Sequence, residues 1–182
     1  KQVWVYKEEG YDDSQATPAI DGDSAYALSR EGQLFCLNRK NGRLRWKKDL
    51  VKDFGVLKPY YGFAGSPVIH EDLVILTANT AGLALNRKTG EKAWVSEPPP
   101  KVFKASDKRD TNGADYATPV LYQRQGNSYA LIASCQGVSS MAVQTGQRLW
   151  VYEWELYSGR HVSDPVVAGD RIFIAQNSTL GY

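Results

Sequence analysis

The sequence Gly-x-x-x-Trp recurs three times, at Gly42 to Trp46, Gly90 to Trp94 and Gly146 to Trp150, and Lys1 to Trp4 ends the same way without the glycine. A repeat of this kind constrains the fold more than composition does. Each copy must be one supersecondary unit that cannot bury both its faces alone and therefore stacks on its neighbours. Extending the copies backwards without gaps aligns Cys36-Leu-Asn-Arg-Lys-Asn-Gly42 with Ala84-Leu-Asn-Arg-Lys-Thr-Gly90 and Ser140-Met-Ala-Val-Gln-Thr-Gly146, each opening on a small residue.

Further upstream each copy begins with Ser, Thr or Asp, then Pro and two apolar residues: Thr17-Pro-Ala-Ile20, Ser66-Pro-Val-Ile69, Thr118-Pro-Val-Leu121 and Asp164-Pro-Val-Val167. The prolines lie 49, 52 and 46 residues apart. Between opening and ending come a polar turn and an apolar run, as in Asp21-Gly-Asp23 before Ala25 to Leu28, which reads as a hairpin. The third copy lengthens this turn with Tyr122 to Ser128, an insertion that a surface loop tolerates at little entropic cost. The unit is thus strand A, hairpin, strand B, turn, strand C, Asx- or Thr-Gly turn, strand D.

Four short strands in about 40 to 50 residues is the period of a propeller blade; helical and leucine-rich repeats have other periods. The residue types fit. Glycine at the C-to-D turn accepts positive φ, and proline at the start of strand A gives up no needed N–H. Tryptophan offers a large apolar face and one N–H donor with which to staple adjacent blades. The 16 Gly, 11 Tyr and 5 Trp, with Val, Ile and Thr in short runs, agree with an all-β chain.

Here the sequence resembles a family. Small-Leu-Asn-Arg-Lys-Thr-Gly-x-x-x-Trp is similar to the tryptophan-docking motif of the PQQ-like β-propeller repeat family over nearly the whole chain, with Trp4, Trp46, Trp94 and Trp150 in the docking role. The segments Leu50 to Gly55 and Gly62 to Pro67 resemble the bacterial BamB-like branch. The resemblance implies an all-β propeller of four-stranded antiparallel blades, part of a ring of about six to eight. The alternative is a four-bladed ring closed by the termini. Expected boundaries are a last strand in residues 1 to 6, blades at 16 to 48, 65 to 96 and 117 to 152, and the start of another at 163 to 182.

Function is expected in the least repetitive parts, the D-to-A loops at 7 to 15, 47 to 64, 96 to 116 and 153 to 162. Aligned on the proline, Ser14, Phe63, Asp115 and His161 fall at one position, followed by Gln15, Ala64, Tyr116 and Val162. Tyr61, Phe63, Asp115, Tyr116, Arg160 and His161 are the candidate binding residues, ringing a channel mouth suited to a polar or planar ligand. The competing reading makes Asp115 and Arg160 solvated charges, His161 structural, and the aromatics inter-blade packing. His70, in a polar turn, is read as an exposed residue without a role.

A net charge of +2 with scattered Lys and Arg offers no stripe for nucleic acid. No run approaches the roughly 18 apolar residues of a membrane span. Cys36 and Cys135, with no CxxC and no adjacent pair, read as buried free thiols. No nucleophile elbow, phosphate loop or zinc-protease motif is present. The resemblance implies a non-catalytic scaffold of the bacterial periplasm or cell envelope, binding a protein partner or small polar ligand at its loop face, without a cofactor. The alternative it leaves open is a quinoprotein dehydrogenase of alcohols or sugars, with PQQ and calcium held by oxygen ligands such as Asn112 and Asp115 and with Arg160 facing a cofactor carboxylate.

Overall fold

A computed structural model describes residues 3–9, 13–96, 114–134, 137–153 and 160–175. The first four-stranded sheet comprises β1 (Ala19–Asp21), β2 (Ser24–Leu28), β3 (Gln33–Asn38) and β4 (Leu44–Asp49), followed by a short helix α1 (Leu50–Phe54). The second comprises β5 (Val68–His70), β6 (Leu73–Leu76), β7 (Leu83–Asn86) and β8 (Lys92–Val95). After β9 (Ala114–Asp115) the third sheet follows: β10 (Val120–Arg124), β11 (Asn127–Ser134), β12 (Gly137–Ala142) and β13 (Arg148–Glu153). Then come β14 (Arg160–His161) and the hairpin β15 (Val166–Ala168) and β16 (Arg171–Phe173). Each large sheet is a simple antiparallel meander in sequence order. A-to-B and C-to-D turns therefore share one face, and B-to-C turns and D-to-A loops share the other.

The repeated turn has a local cause. The Asn38 side-chain oxygen accepts from the backbone N–H of Lys40 and Asn41, and Asn86 does the same for Lys88 and Thr89. Such an Asx turn folds the chain without help from the rest of the molecule. Gly42, Gly90 and Gly146 follow with φ of 70°, 74° and 69°. In every sheet the C–D ladder slips by one residue just before the tryptophan pairing: Cys36 faces Trp46 and Leu37 faces Leu44, Ala84 faces Trp94 and Leu85 faces Lys92, Ser140 faces Trp150 and Met141 faces Arg148. This bulge leaves Arg45, Ala93 and Leu149 as the extra residues of the three blades.

The blades meet through the tryptophans. The Trp46 indole N–H donates to the Arg87 carbonyl at 3.0 Å, and that of Trp94 donates to the Val143 carbonyl at 2.8 Å. A Cβ placed on Gly90 would lie 2.9 Å from the Trp46 ring, and one on Gly146 2.6 Å from the Trp94 ring. The glycine is thus required twice, for its backbone angle and as the floor on which the preceding blade's ring rests. Trp4 repeats the joint: its N–H donates to the Arg39 carbonyl at 2.7 Å, and its ring covers Gly42. Of the last strand expected over residues 1 to 6, the described residues 3 to 6 carry no ladder, so Trp4 docks from irregular backbone. The turn that would receive Trp150, in the blade that opens at Asp164, is not among the described residues, and the ring is 36% exposed where Trp46 and Trp94 are 9% and 7% exposed. It borders a cleft of about 390 Å³ with Tyr122, Arg124, Val167 and Ile172 rather than lying on a glycine of a described residue.

The core runs between sheets. Tyr26, Leu28, Cys36 and Trp46 of the first pack on Val74, Leu76, Leu83 and Leu85 of the second. Leu73, Ile75, Ala84 and Trp94 on the second sheet's other face pack on Ala130, Ile132, Met141 and Val143 of the third. Cys36 is buried and free, and Cys135 lies outside the described residues. Leu34, Val74 and Leu131 are fully buried, and each such side chain contributes about 1.5–3 kcal/mol of transfer free energy.

Candidate functional site

The innermost strands are tied blade to blade by the residue before each proline. Thr17 N–H donates to Ser66 Oγ at 2.9 Å, Ser66 N–H to Thr118 Oγ1 at 3.3 Å, and Thr118 N–H to Asp164 Oδ1 at 2.6 Å. Each acceptor oxygen thus satisfies the last free N–H before a proline in the blade behind it. Thr77 Oγ1 adds a bond to the Ala117 carbonyl at 2.7 Å. Approach is close enough that a Cβ on Gly65 would sit 2.6 Å from the Ala117 oxygen. The opening Ser, Thr or Asp of each copy was the sequence signal for this lacing.

On this frame the D-to-A loops cluster at one face. Asp49 caps α1, its carboxylate accepting from the N–H of Val51 and Lys52, and Gly55 ends the helix with φ of 68°. Burial pushes the Asp49 carboxyl up, but the Lys52 N–H, the Gln33 amide, the Lys52 charge and the Val51 N–H outweigh it and hold the group below its ordinary value. The chain then runs over the face to Tyr60 and Tyr61, which are 60% and 44% exposed and meet edge to face at 4.8 Å. Both backbone groups of Tyr61 are held by side chains: its N–H donates to the Tyr116 hydroxyl at 3.2 Å and its carbonyl accepts from Arg30 Nε at 3.0 Å. Gly62 turns the chain with φ of 83° beneath Arg30, where a Cβ would lie 2.5 Å from the Arg30 oxygen. Asn79 of the neighbouring B-to-C turn donates to the Leu57 carbonyl at 3.0 Å, and Leu57 itself is 56% exposed.

The sequence candidates separate on this geometry. Tyr61 and Tyr116 come together, their rings 6.3 Å apart. Phe63 does not face the loop surface: it is 2% exposed, packs with Leu28 and Val56, and its ring lies where a Cβ on Gly32 would come within 2.6 Å. An aromatic ring of that size gains more from burial than a loop can offer it in solvent, so the shared alignment position carries core packing here. Asp115 is buried, at 8% exposure, rather than a solvated charge. Its strand β9 pairs in parallel with β14, which sets His161 beside Asp115 and Arg160 beside Ala114 along the backbone. The side chains of Arg160 and His161, and Asn112, lie outside the described structure. His70 is half-buried rather than exposed, and its Nε2 is buried without a hydrogen-bond partner among the described residues.

Beside the first blade, Tyr6, Glu8, Ser14, Ala27, Leu28, Ser29 and Phe35 line a cleft of about 170 Å³. Glu8 takes the Tyr6 hydroxyl at 2.5 Å and pairs with Lys47 at 2.7 Å. The hydrogen bond to Glu8 holds the Tyr6 phenol up at about 12, and the Lys47 bond pulls the Glu8 carboxyl down. Among the described residues no three His, Cys, Asp or Glu side chains converge to hold a metal ion. No helix among them is long and apolar enough to cross a membrane.

Comparison with known proteins agrees with the repeat. Residues 1–181 match the family described as outer membrane protein assembly factor BamB. The outer membrane protein assembly factor BamB of Yersinia pestis is 24% identical over 170 residues, 93% of this chain and 36% of that protein. The crystal structure of BamB from Moraxella catarrhalis superposes with a TM-score of 0.63 at 20% identity, covering 95% of this chain and 46% of that one. Quinohemoprotein alcohol dehydrogenase from Comamonas testosteroni superposes with a TM-score of 0.61 at 13% identity, over 94% of this chain and 34% of that one. The chain thus spans between a third and a half of these relatives, and the dehydrogenase likeness carries the fold alone. With its four-stranded blades, docking tryptophans and family match along nearly its whole length, the chain is a PQQ-like β-propeller repeat region of the BamB family.

Proposed function

We propose that this chain is part of a non-catalytic propeller of the bacterial envelope that docks a protein partner of outer-membrane protein assembly through its loop face. The observation that carries the reading is the clamp on Tyr61. A loop held through both backbone groups by Arg30 and Tyr116 presents Tyr60, Tyr61 and Leu57 outward in one conformation. Tyrosines held rigid and exposed give large contact area at low entropic cost, which suits a protein interface. Family membership supports the envelope compartment and the assembly partner.

The test is photo-crosslinking in cells from position 60 of the full-length protein, beside affinity measurements on the isolated partner. Tyr60→Ala with Tyr61→Ala is expected to weaken binding roughly tenfold or more, as hot-spot truncations do. Tyr116→Phe, which keeps the ring and removes the acceptor for Tyr61 N–H, is expected to weaken it less. Unchanged affinity in the double variant would overturn the reading.

A further inference from the structure

The blade interfaces share one plan, so each position of one can be compared with its counterpart in another. Ladder register makes Ser24 equivalent to Leu73, since they face Asn38 and Asn86. It makes Tyr26 equivalent to Ile75, facing Cys36 and Ala84, and the bulge makes Arg45 equivalent to Ala93. Where the second blade has Leu73, Ile75, Ala84 and Ala93, the first has Ser24, Tyr26, Cys36 and Arg45. Leu73, Ile75 and Ala84 pack into an apolar core against the third blade, and Ala93 is exposed. Of the first blade's set, Tyr26 and Cys36 join the apolar core with the second blade, and all four border a cavity of about 260 Å³ that opens at the turn face, away from the tyrosine loops.

The cavity wall is completed by Asp21 and Asp23 from the A-to-B turn and by Arg87 and Lys88 from the next blade's C-to-D turn. Most of these charges are already matched: Arg87 with Asp21 and Asp72, Lys88 with Asp72, Asp23 with Lys40. Arg45 has no carboxylate partner among the described residues. One arm of its guanidinium, Nη1, donates to Ser24 Oγ at 2.7 Å, and Arg45 lines the cavity together with the buried Cys36. Ser24 and Tyr26 are 8% and 1% exposed, so the polar floor is built into the interface and not a surface accident. Polar groups at positions where the second blade has apolar ones forgo packing, which is the pattern expected of a site kept for binding.

We propose that the cleft between the first and second blades is a binding site for a small oxyanion, a carboxylate or phosphate, held by Arg45 with Ser24 and Lys88. A planar guanidinium fork with one arm fixed by Ser24 suits such an anion, and the lining charges Asp21, Asp23, Arg45, Arg87 and Lys88 leave an excess of one positive charge. The site lies on the opposite face from the proposed partner surface and is independent of it.

The test is thermal melting and calorimetric titration of the full-length protein with inorganic phosphate and, separately, succinate, each against potassium chloride at equal ionic strength. A saturable rise in melting temperature beyond the chloride control is expected with at least one anion, and the anion that gives it identifies the source. Arg45→Ala, which installs the second blade's residue, should weaken binding roughly tenfold or more while its melting temperature in chloride stays within a few degrees of the parent. Arg45→Lys should bind with intermediate affinity, because it keeps the charge and loses the fork. No saturable response to either anion, or a response unchanged in Arg45→Ala, would overturn the proposal.

Discussion

Trp46 on Gly90 and Trp94 on Gly146 are the same joint made twice, with the same bulge before the tryptophan and the same indole bond to the turn of the next blade. Behind the second joint lie Leu73, Ile75 and Ala84, and the interface is apolar. Behind the first lie Ser24, Tyr26 and Cys36 beside a cavity. Docking geometry is therefore set by the turn and the tryptophan, while the residues one and two strands further in are free to change chemistry. A repeat protein can keep its architecture and vary what its interfaces do, because the two tasks fall on different residues.

The largest effects should fall on the joints themselves. Trp94→Ala and Trp46→Ala are each expected to cost about 3–5 kcal/mol in denaturant unfolding, since each ring lies in an apolar cluster between two blades. A negligible loss at either position would contradict the docking role. Next comes the turn: Gly90→Ala is expected to cost about 1–3 kcal/mol from positive φ alone, plus the displacement of the Trp46 ring.

Smaller effects sharpen the comparison. Asp49→Ala, which removes the cap of α1 without touching either joint, should cost about 1 kcal/mol. Because the folded protein holds this carboxyl below its ordinary value, its contribution is present above about pH 4 and lost as pH falls through the lowered value. The difference between parent and Asp49→Ala should accordingly shrink on acidification, and a constant difference from neutral to acidic pH would remove the cap's role. Arg45→Ala in chloride should cost no more than about 1 kcal/mol, since its one hydrogen bond among those described is to Ser24.

The repeat made the scaffold legible: Gly-x-x-x-Trp, the Asx turn and the proline opening each name a local geometry that survives in the fold. The candidate site was legible only in part. Aligning loops on the proline named Phe63 and Tyr116, with Tyr61 added from beside them; the structure brings Tyr61 and Tyr116 together but turns Phe63 inward, because proximity to a proline fixes where the backbone runs and not which side a ring faces. Asp115 was expected at a mouth and is buried in a two-residue strand formed with a segment some 45 residues later, a long-range pairing without local signal. Arg45 went unnoticed because a bulge reverses strand alternation, and alternation alone would have turned it away from the interface. The lacing by Thr17, Ser66, Thr118 and Asp164 was readable in principle, since a hydroxyl or carboxylate precedes every repeat proline.

The central claim is that the tryptophan of one blade is seated on the glycine of the next. A double-mutant cycle between Trp94→Ala and Gly146→Ala, read by equilibrium unfolding, tests it most directly. The Gly146→Ala clash is with the Trp94 ring at 2.6 Å, so removing the ring should relieve it and leave only the backbone cost. The account predicts that the double variant is less destabilised than the sum of the singles by about 1 kcal/mol or more, and strict additivity would contradict it.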